Sequence, residues 1–201
     1  MIADLPWNVH PDLKRERLIK IAQLIAKGRN DAVLWHNPGI GDDTWVLGCR
    51  AFQASRHQVM AAAGSDDYLW LKIVDSSKHL VFMIGEVPVR FYRGPAEEPT
   101  SRTLRQNFPE LTQLSMVFSD DRRDLAYRFA VETHADGTVA EIKFAGLLGE
   151  TPMLCWLVPL ETPTTSIFPI ASPAEGVELP PPIVGIPGAD DEKDADETGA
   201  A

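Results

Sequence analysis

Prolines and acidic residues are concentrated in the last 41 positions, and that concentration limits what can join a folded core. Residues 161–201 hold seven of the chain's 16 prolines, from Pro163 to Pro187, so neither a regular helix nor a central strand can form there. They also carry nine acidic groups against Lys193 alone. That balance of −8 accounts for most of the chain's −10 and leaves residues 1–160 near neutrality at −2. The expected organisation is a globular domain over 1–160 and a Pro-rich, acidic tail over 161–201. The distal tail, with its self-repelling Asp190–Glu197 cluster, is expected to be disordered. The proximal tail is more apolar than a solubilising segment requires: Ile167, Phe168, Ile183, Val184 and Ile186 are candidate partner-binding residues that dock on the body or on another protein.

A body of this size buries a core without disulfides or a metal. Cys49 and Cys155 sit among apolar neighbours and read as reduced thiols, with a single bridge between them as the alternative. The N-terminal residues resemble no signal peptide, and no apolar run approaches the roughly 20 residues of a membrane span. The expected location is the cytoplasm. Near-neutral charge argues against general nucleic-acid binding by the body, which needs an excess of Lys and Arg. A protein partner is expected and membrane association is not; the oligomeric state is left open.

The clearest helix is predicted over Pro11–Lys27, where Leu13, Leu18, Ile21, Ala22 and Ile25 share a side, with Pro11 in its first turn and Gly28 as its stop. This stripe covers a sheet or serves as a docking face. A turn-rich loop at Asn37–Asp43 precedes the apolar run Trp45–Leu47, and a second helix is expected over Arg50–Ala63, closed by Gly64. Leu69–Val74 and Leu80–Ile84 read as a hairpin, and Val87–Tyr92 as an extension that Pro88 bends, bulges or puts at an edge. Tyr127–Thr133 and Thr138–Ala145 form a second hairpin about an Asp136-Gly137 turn, and Met153–Val158 closes the body. The fold class is α+β: N-terminal helices on a largely antiparallel sheet built from two hairpins.

Three sets of residues could carry function. Glu141-Ile142-Lys143 is similar to the Glu-x-Lys strand motif of restriction-like nucleases, in which carboxylates hold a divalent metal and the lysine positions water. Asp124 or Asp136 would supply the further carboxylate, although neither has the expected setting, and alternating charges on a solvent face explain the motif equally well. Arg90, Tyr92, Arg93, Arg102 and Arg105 form the best anion-binding set, unless Glu97 and Glu98 neutralise the arginines. Trp7, near the terminus and between polar and proline neighbours, is a candidate interface anchor, whereas Trp70 and Trp156 fall in apolar strands. His36 with Asp42 and Asp43 reads as a capped turn before it reads as a metal site. The five histidines lack zinc-ligand spacing, and neither a nucleotide loop nor a nucleophile elbow is present. No cofactor and no metal are expected. The leading reading is a non-catalytic interaction module, such as a regulator, adaptor or immunity-type inhibitor; the alternatives are a metal-dependent nuclease and a sensor for an anionic small molecule.

Overall fold

The computed structural model describes residues 5–100 and 125–160, all within the first of the two units into which the chain divides, Met1–Thr162. The candidates Asp124, Arg102, Arg105, Ile167, Phe168, Ile183, Val184 and Ile186 lie outside the described residues, as does the whole tail. The described fold is α+β. A short helix, α1 (Pro6–Val9), precedes two long ones, α2 (Arg15–Leu34) and α3 (Thr44–Ala63), and six strands follow: β1 (Leu71–Asp75), β2 (Val81–Ile84), β3 (Val87–Arg93), β4 (Ala126–Thr133), β5 (Val139–Leu148) and β6 (Thr151–Leu157). They form one sheet in chain order, antiparallel except between β3 and β4.

The helix expected over Pro11–Lys27 instead runs from Arg15 to Leu34. Pro11 and Asp12 stay in a turn in which the Asp12 N–H donates to His10 Nδ1 at 3.1 Å. The Asp12 carboxylate accepts from Arg17 Nη1 at 2.8 Å and from the Glu86 N–H at 3.2 Å, joining the start of α2 to the β2–β3 turn. Gly85, at φ +62°, lets it approach, since a Cβ there would meet the Asp12 carboxyl carbon at 2.1 Å. Nor does Gly28 stop the helix. It is buried where α2 crosses α3, and a Cβ at this position would lie 2.5 Å from Ser55 Cα and N. The glycine is used for close backbone approach, and Ser55 Oγ donates across the crossing to Ile25 O at 2.8 Å.

Helix α3 begins six residues before the expected start, because Asp43 caps it: Asp43 Oδ1 accepts from the Val46 N–H at 2.8 Å. Trp45–Leu47 therefore form its first turn, and Gly64 follows its last residue as expected.

Both long helices lie on one face of the sheet. Leu18, Ile21, Ala22 and Ile25 of α2 and Val59 of α3 are buried with Phe82, Ile84, Val89, Phe129, Ile142 and Phe144. The α2 stripe is thus core. Alternation puts the next residue of each strand on the opposite face, where small side chains, Ala126, Ala130 and Ala145, are buried with Leu147 and Ala96.

The Asp136-Gly137 hairpin is present, with Gly137 at φ +89°, as is the β1–β2 pair. The sheet is two three-stranded antiparallel runs joined by parallel pairing of β3 with β4, from Val89↔Tyr127 to Arg93↔Val131. Short links dictate antiparallel neighbours, but the long connection between Gly94 and Leu125 carries no such restriction. Pro88 fits inside β3 for a related reason. Ile84 and Val87 flank a two-residue turn, so the next pair, Met83↔Pro88, makes no hydrogen bond, and position 88 faces away from β2, one residue before the β4 ladder begins.

Candidate functional site

Strand alternation does place Glu141 and Lys143 on one face. Lys143 Nζ contacts Glu141 Oε1 at 2.8 Å, Glu132 Oε1 at 2.9 Å and Glu97 Oε1 at 3.0 Å. Glu132 and Glu141 are directly opposite across β4–β5, an arrangement of like charges that a shared cation makes tolerable. The three carboxylates, Glu141 first, hold the Lys143 pKa above the ordinary lysine value. A lysine so held stays protonated at neutral pH and is no proton acceptor for water. Asp136 is occupied within its turn, accepting from the Thr138 N–H at 2.9 Å and hydroxyl at 2.6 Å.

The arginine set divides by the same alternation. Arg90 and Tyr92 share one face of β3; Arg93 points to the other, with Phe91. Arg90 Nε donates to His79 O at 3.1 Å, and the Tyr92 hydroxyl donates to Pro95 O at 2.8 Å. Burial, then the nearby Glu97 charge, pushes the Tyr92 pKa up to about 12. Among the described residues, Glu97 pairs with Lys143 and not with an arginine.

Arg93 meets a residue that sequence inspection did not single out. Arg29, on α2 one residue beyond the helix crossing, is 5% exposed and donates from Nε to Gly137 O at 2.7 Å. Its Nη2 is buried and has no hydrogen-bond partner. Arg29 and Arg93 line a cavity of about 490 Å³ with Thr44, Thr133, His134 and Glu132. Neither guanidinium pairs with a described carboxylate; Glu132, which also lines the cavity, has its Oε1 on Lys143. Burial first, and the Arg93 charge second, hold the Arg29 pKa below the ordinary arginine value. No sequence signal identifies Arg29, because it lies just past Gly28, where the helix is predicted to stop.

The connection between α2 and α3 forms a second surface feature. Leu34 (81%), Trp35 (78%), Ile40 (78%) and Trp45 (72%) are all exposed within twelve residues of chain. Their backbone is fixed: Arg50 Nη1 donates to Trp35 O at 2.7 Å and to Asp42 Oδ2 at 2.9 Å, while Asp42 Oδ2 accepts from the Asn37 N–H at 3.0 Å. Asn37 Oδ1 accepts from the Gly39 N–H, and Gly41 takes the left-handed conformation at φ +97°. His36, Asp42 and Asp43 are therefore parts of a capped turn.

Trp7 is partly buried and meets Trp156 edge to face, with ring centroids 5.3 Å apart. Its ring is engaged within the body. Trp70 is also partly buried, under the Arg17 guanidinium at 5.3 Å. Cys49 and Cys155 are free thiols. Among the described residues, His10, Asp12 and Glu86 alone bring three metal-type ligand atoms together, but both Asp12 oxygens already accept from protein donors. No described helix is long and apolar enough to cross a membrane.

The architecture and the site together define an α+β domain that presents a fixed apolar helical tip and an arginine-lined cavity. Compared with models of known protein families, with curated proteins and with solved structures, the chain matches none.

Proposed function

We propose that the protein is a non-catalytic, cytoplasmic interaction module, a regulator, adaptor or immunity-type inhibitor, that docks a protein partner through the α2–α3 tip. The observation that carries this reading is the exposure of Trp35 and Trp45 with Leu34 and Ile40 on a backbone held by Arg50 and Asp42. Large apolar side chains gathered at one place mark interaction sites, and tryptophan is enriched among the residues that dominate binding energy. A fixed backbone lowers the ordering cost of association.

The occupant is a protein with an apolar pocket and a neutral or basic rim. Around the four side chains stand Asp31, Asp42 and Asp43 against Lys27 and Arg50, a balance of −1, with Lys27 on Asp31 and Arg50 on Asp42. The tail residues Ile167, Phe168, Ile183, Val184 and Ile186 provide a separate contact in this reading. The Glu141–Lys143 nuclease alternative loses support from the fully paired Lys143, and Arg93 supports an anion-binding reading only with a different partner from Arg90.

The test begins with a photo-crosslinking residue at position 40 in the native cell. The crosslinked protein is purified, and its Kd is measured for the full chain, for Trp35→Ala with Trp45→Ala, and for a chain ending at Leu160. The double variant is expected to bind about 30-fold or more weakly, the loss of a hot spot of about 2 kcal/mol. An unchanged Kd would sink the tip as docking surface. A weaker Kd for the truncated chain alone would move docking to the tail, and a self-crosslink lost in the double variant would make the tip a homodimer contact instead.

A further inference from the structure

We infer that the cavity between the α3 N-terminus, the end of β3 and the β4–β5 turn is a binding site for a small oxyanion-bearing molecule, a phosphate or carboxylate compound held by Arg93 above the buried Arg29. This site borders the apolar tip, since Trp45 and Arg93 both line an adjoining cavity, but it does not depend on the role of the tip.

The argument starts from uncompensated charge. Withdrawing an arginine from water costs several kcal/mol unless a counter-charge and hydrogen bonds replace hydration. Arg29 is nearly fully buried, yet its one protein acceptor is the neutral Gly137 carbonyl, and Nη2 donates to nothing. A second cation, Arg93, lies close enough to lower its proton affinity. Two guanidiniums facing one cavity with no carboxylate on either is an arrangement that repels itself when empty and is relieved by an anion.

The lining supports the same ligand chemistry. Arg93 is exposed at the cavity and has no competing partner, so its planar fork is available for two oxygens. Thr44 and Thr133 add hydroxyls, and His134 a ring nitrogen. The acidic neighbours are otherwise engaged: Glu132 by Lys143, and Asp136 by Thr138. A cavity of about 490 Å³ is within the range of small-molecule sites.

Apolar groups form the rest of the wall. Leu47, Val131 and Pro95 share the lining, and Gly137 is required at the wall because a Cβ there would stand 2.9 Å from Leu47 Cδ2.

The test uses the full chain with inorganic phosphate, pyrophosphate and citrate as probes, against chloride at equal ionic strength, by thermal shift and titration calorimetry. At least one probe is expected to bind saturably and raise Tm, with phosphate and citrate arms separating phosphoryl from carboxylate preference. Arg93→Gln is expected to weaken that binding about 10- to 100-fold, the range for a lost charged hydrogen bond, while leaving the unliganded Tm unchanged or higher. Arg90→Gln, on the other face of β3, is expected to leave binding unchanged. Arg29→Met tests the buried charge, and Arg29→Lys keeps that charge should Met disturb the fold. Absence of any saturable shift beyond chloride would overturn the inference. So would binding that Arg93→Gln leaves intact, or an unliganded Arg93→Gln protein with a lowered Tm, which would assign the arginine a structural partner.

Discussion

Substituting alanine for glycine at two helical positions, Gly28 and Gly48, is expected to change stability in opposite directions. Intrinsic preference is the same at both, and alanine is favoured by about 0.8–1.0 kcal/mol in a helix interior. At Gly48, in α3, a Cβ meets nothing within 4 Å, so the preference is realised and stability rises by about 0.5–1 kcal/mol. At Gly28 the added Cβ would stand 2.5 Å from Ser55 Cα and 2.6 Å from the Ala54 carbonyl carbon. Ordinary carbon contacts need about 3.5–4.0 Å, so α3 must retreat by roughly 1 Å. That retreat stretches the 2.8 Å bond from Ser55 Oγ to Ile25 O beyond hydrogen-bond range, a loss of about 1 kcal/mol. Loosened packing around Ile25 and Val59 adds about 1–3 kcal/mol. Set against the helix preference, the net destabilisation at Gly28 is about 1–3 kcal/mol, or a Tm lower by about 3–10 °C for a domain of this size. Urea titration followed by tryptophan fluorescence and circular dichroism measures both variants, with an unchanged m-value as the check that the denatured state is comparable. If Gly28→Ala stabilises the protein as Gly48→Ala does, the close helix crossing is wrong.

Lys143→Met should cost about 1–2 kcal/mol at pH 7 by leaving Glu97, Glu132 and Glu141 to repel one another, and because Lys143 holds the Glu97 pKa below its ordinary value, the Glu97 share of that loss should disappear as pH falls through the folded value; a pH-independent difference in urea midpoint would refute the charge explanation. Asp12→Asn should destabilise at neutral pH. Burial alone would raise the Asp12 pKa, but Arg17 and the Glu86 amide outweigh it and lower the value, so the aspartate's stabilising effect exists above the unfolded value near 3.8 and disappears as pH falls through the folded one; equal acid-unfolding profiles for both proteins would count against this. Tyr92 ionises near 10 when unfolded and about 12 when folded, so its contribution is complete below pH 10 and lost as pH rises to 12; the Tm of Tyr92→Phe should fall less steeply over that interval, and parallel curves would dismiss the buried hydroxyl.

The elements that local chemistry dictates were readable from sequence. The Asp136-Gly137 turn, the Gly64 helix end and the α2 stripe all appear because turn geometry, backbone freedom and helical period act over a few residues. The errors lie where a distant segment decides. Gly28 reads as a stop by local preference, yet Ser55 across the helix pair makes glycine the residue that fits inside the helix. Pro11 satisfies a first-turn rule, but Asp12 is drawn off to bind Arg17 and the β2–β3 turn. Parallel pairing of β3 with β4 joins strands that the connection from Gly94 to Leu125 separates widely in sequence, beyond the reach of local signals. Trp7, which sequence position makes a candidate anchor, meets Trp156 from the far end of the sheet.

Charge shows the same limit, with a functional consequence. Neighbours in sequence suggest that Glu97 and Glu98 neutralise Arg90 and Arg93. The sheet sorts charges differently: cross-strand register sets Glu132 opposite Glu141, with Lys143 between them, and draws in Glu97, so three carboxylates share one cation. Strand alternation sends Arg93 to the helix side, where α2 has carried Arg29 beneath the β4–β5 turn. A near-neutral body therefore holds a surplus of two negative charges beside Lys143 and of two positive charges at the cavity, with Glu132 lining the cavity while bound to Lys143. Glu132 and Arg93 point to opposite faces of the sheet, so the strands themselves keep the two sets of charges apart. Lys143→Met should accordingly lower stability but leave oxyanion binding intact, and Glu132→Gln should likewise leave binding intact. Calorimetric titration of both variants with the best oxyanion probe checks this, and weaker binding by either would show that the two sets of charges are coupled across the sheet.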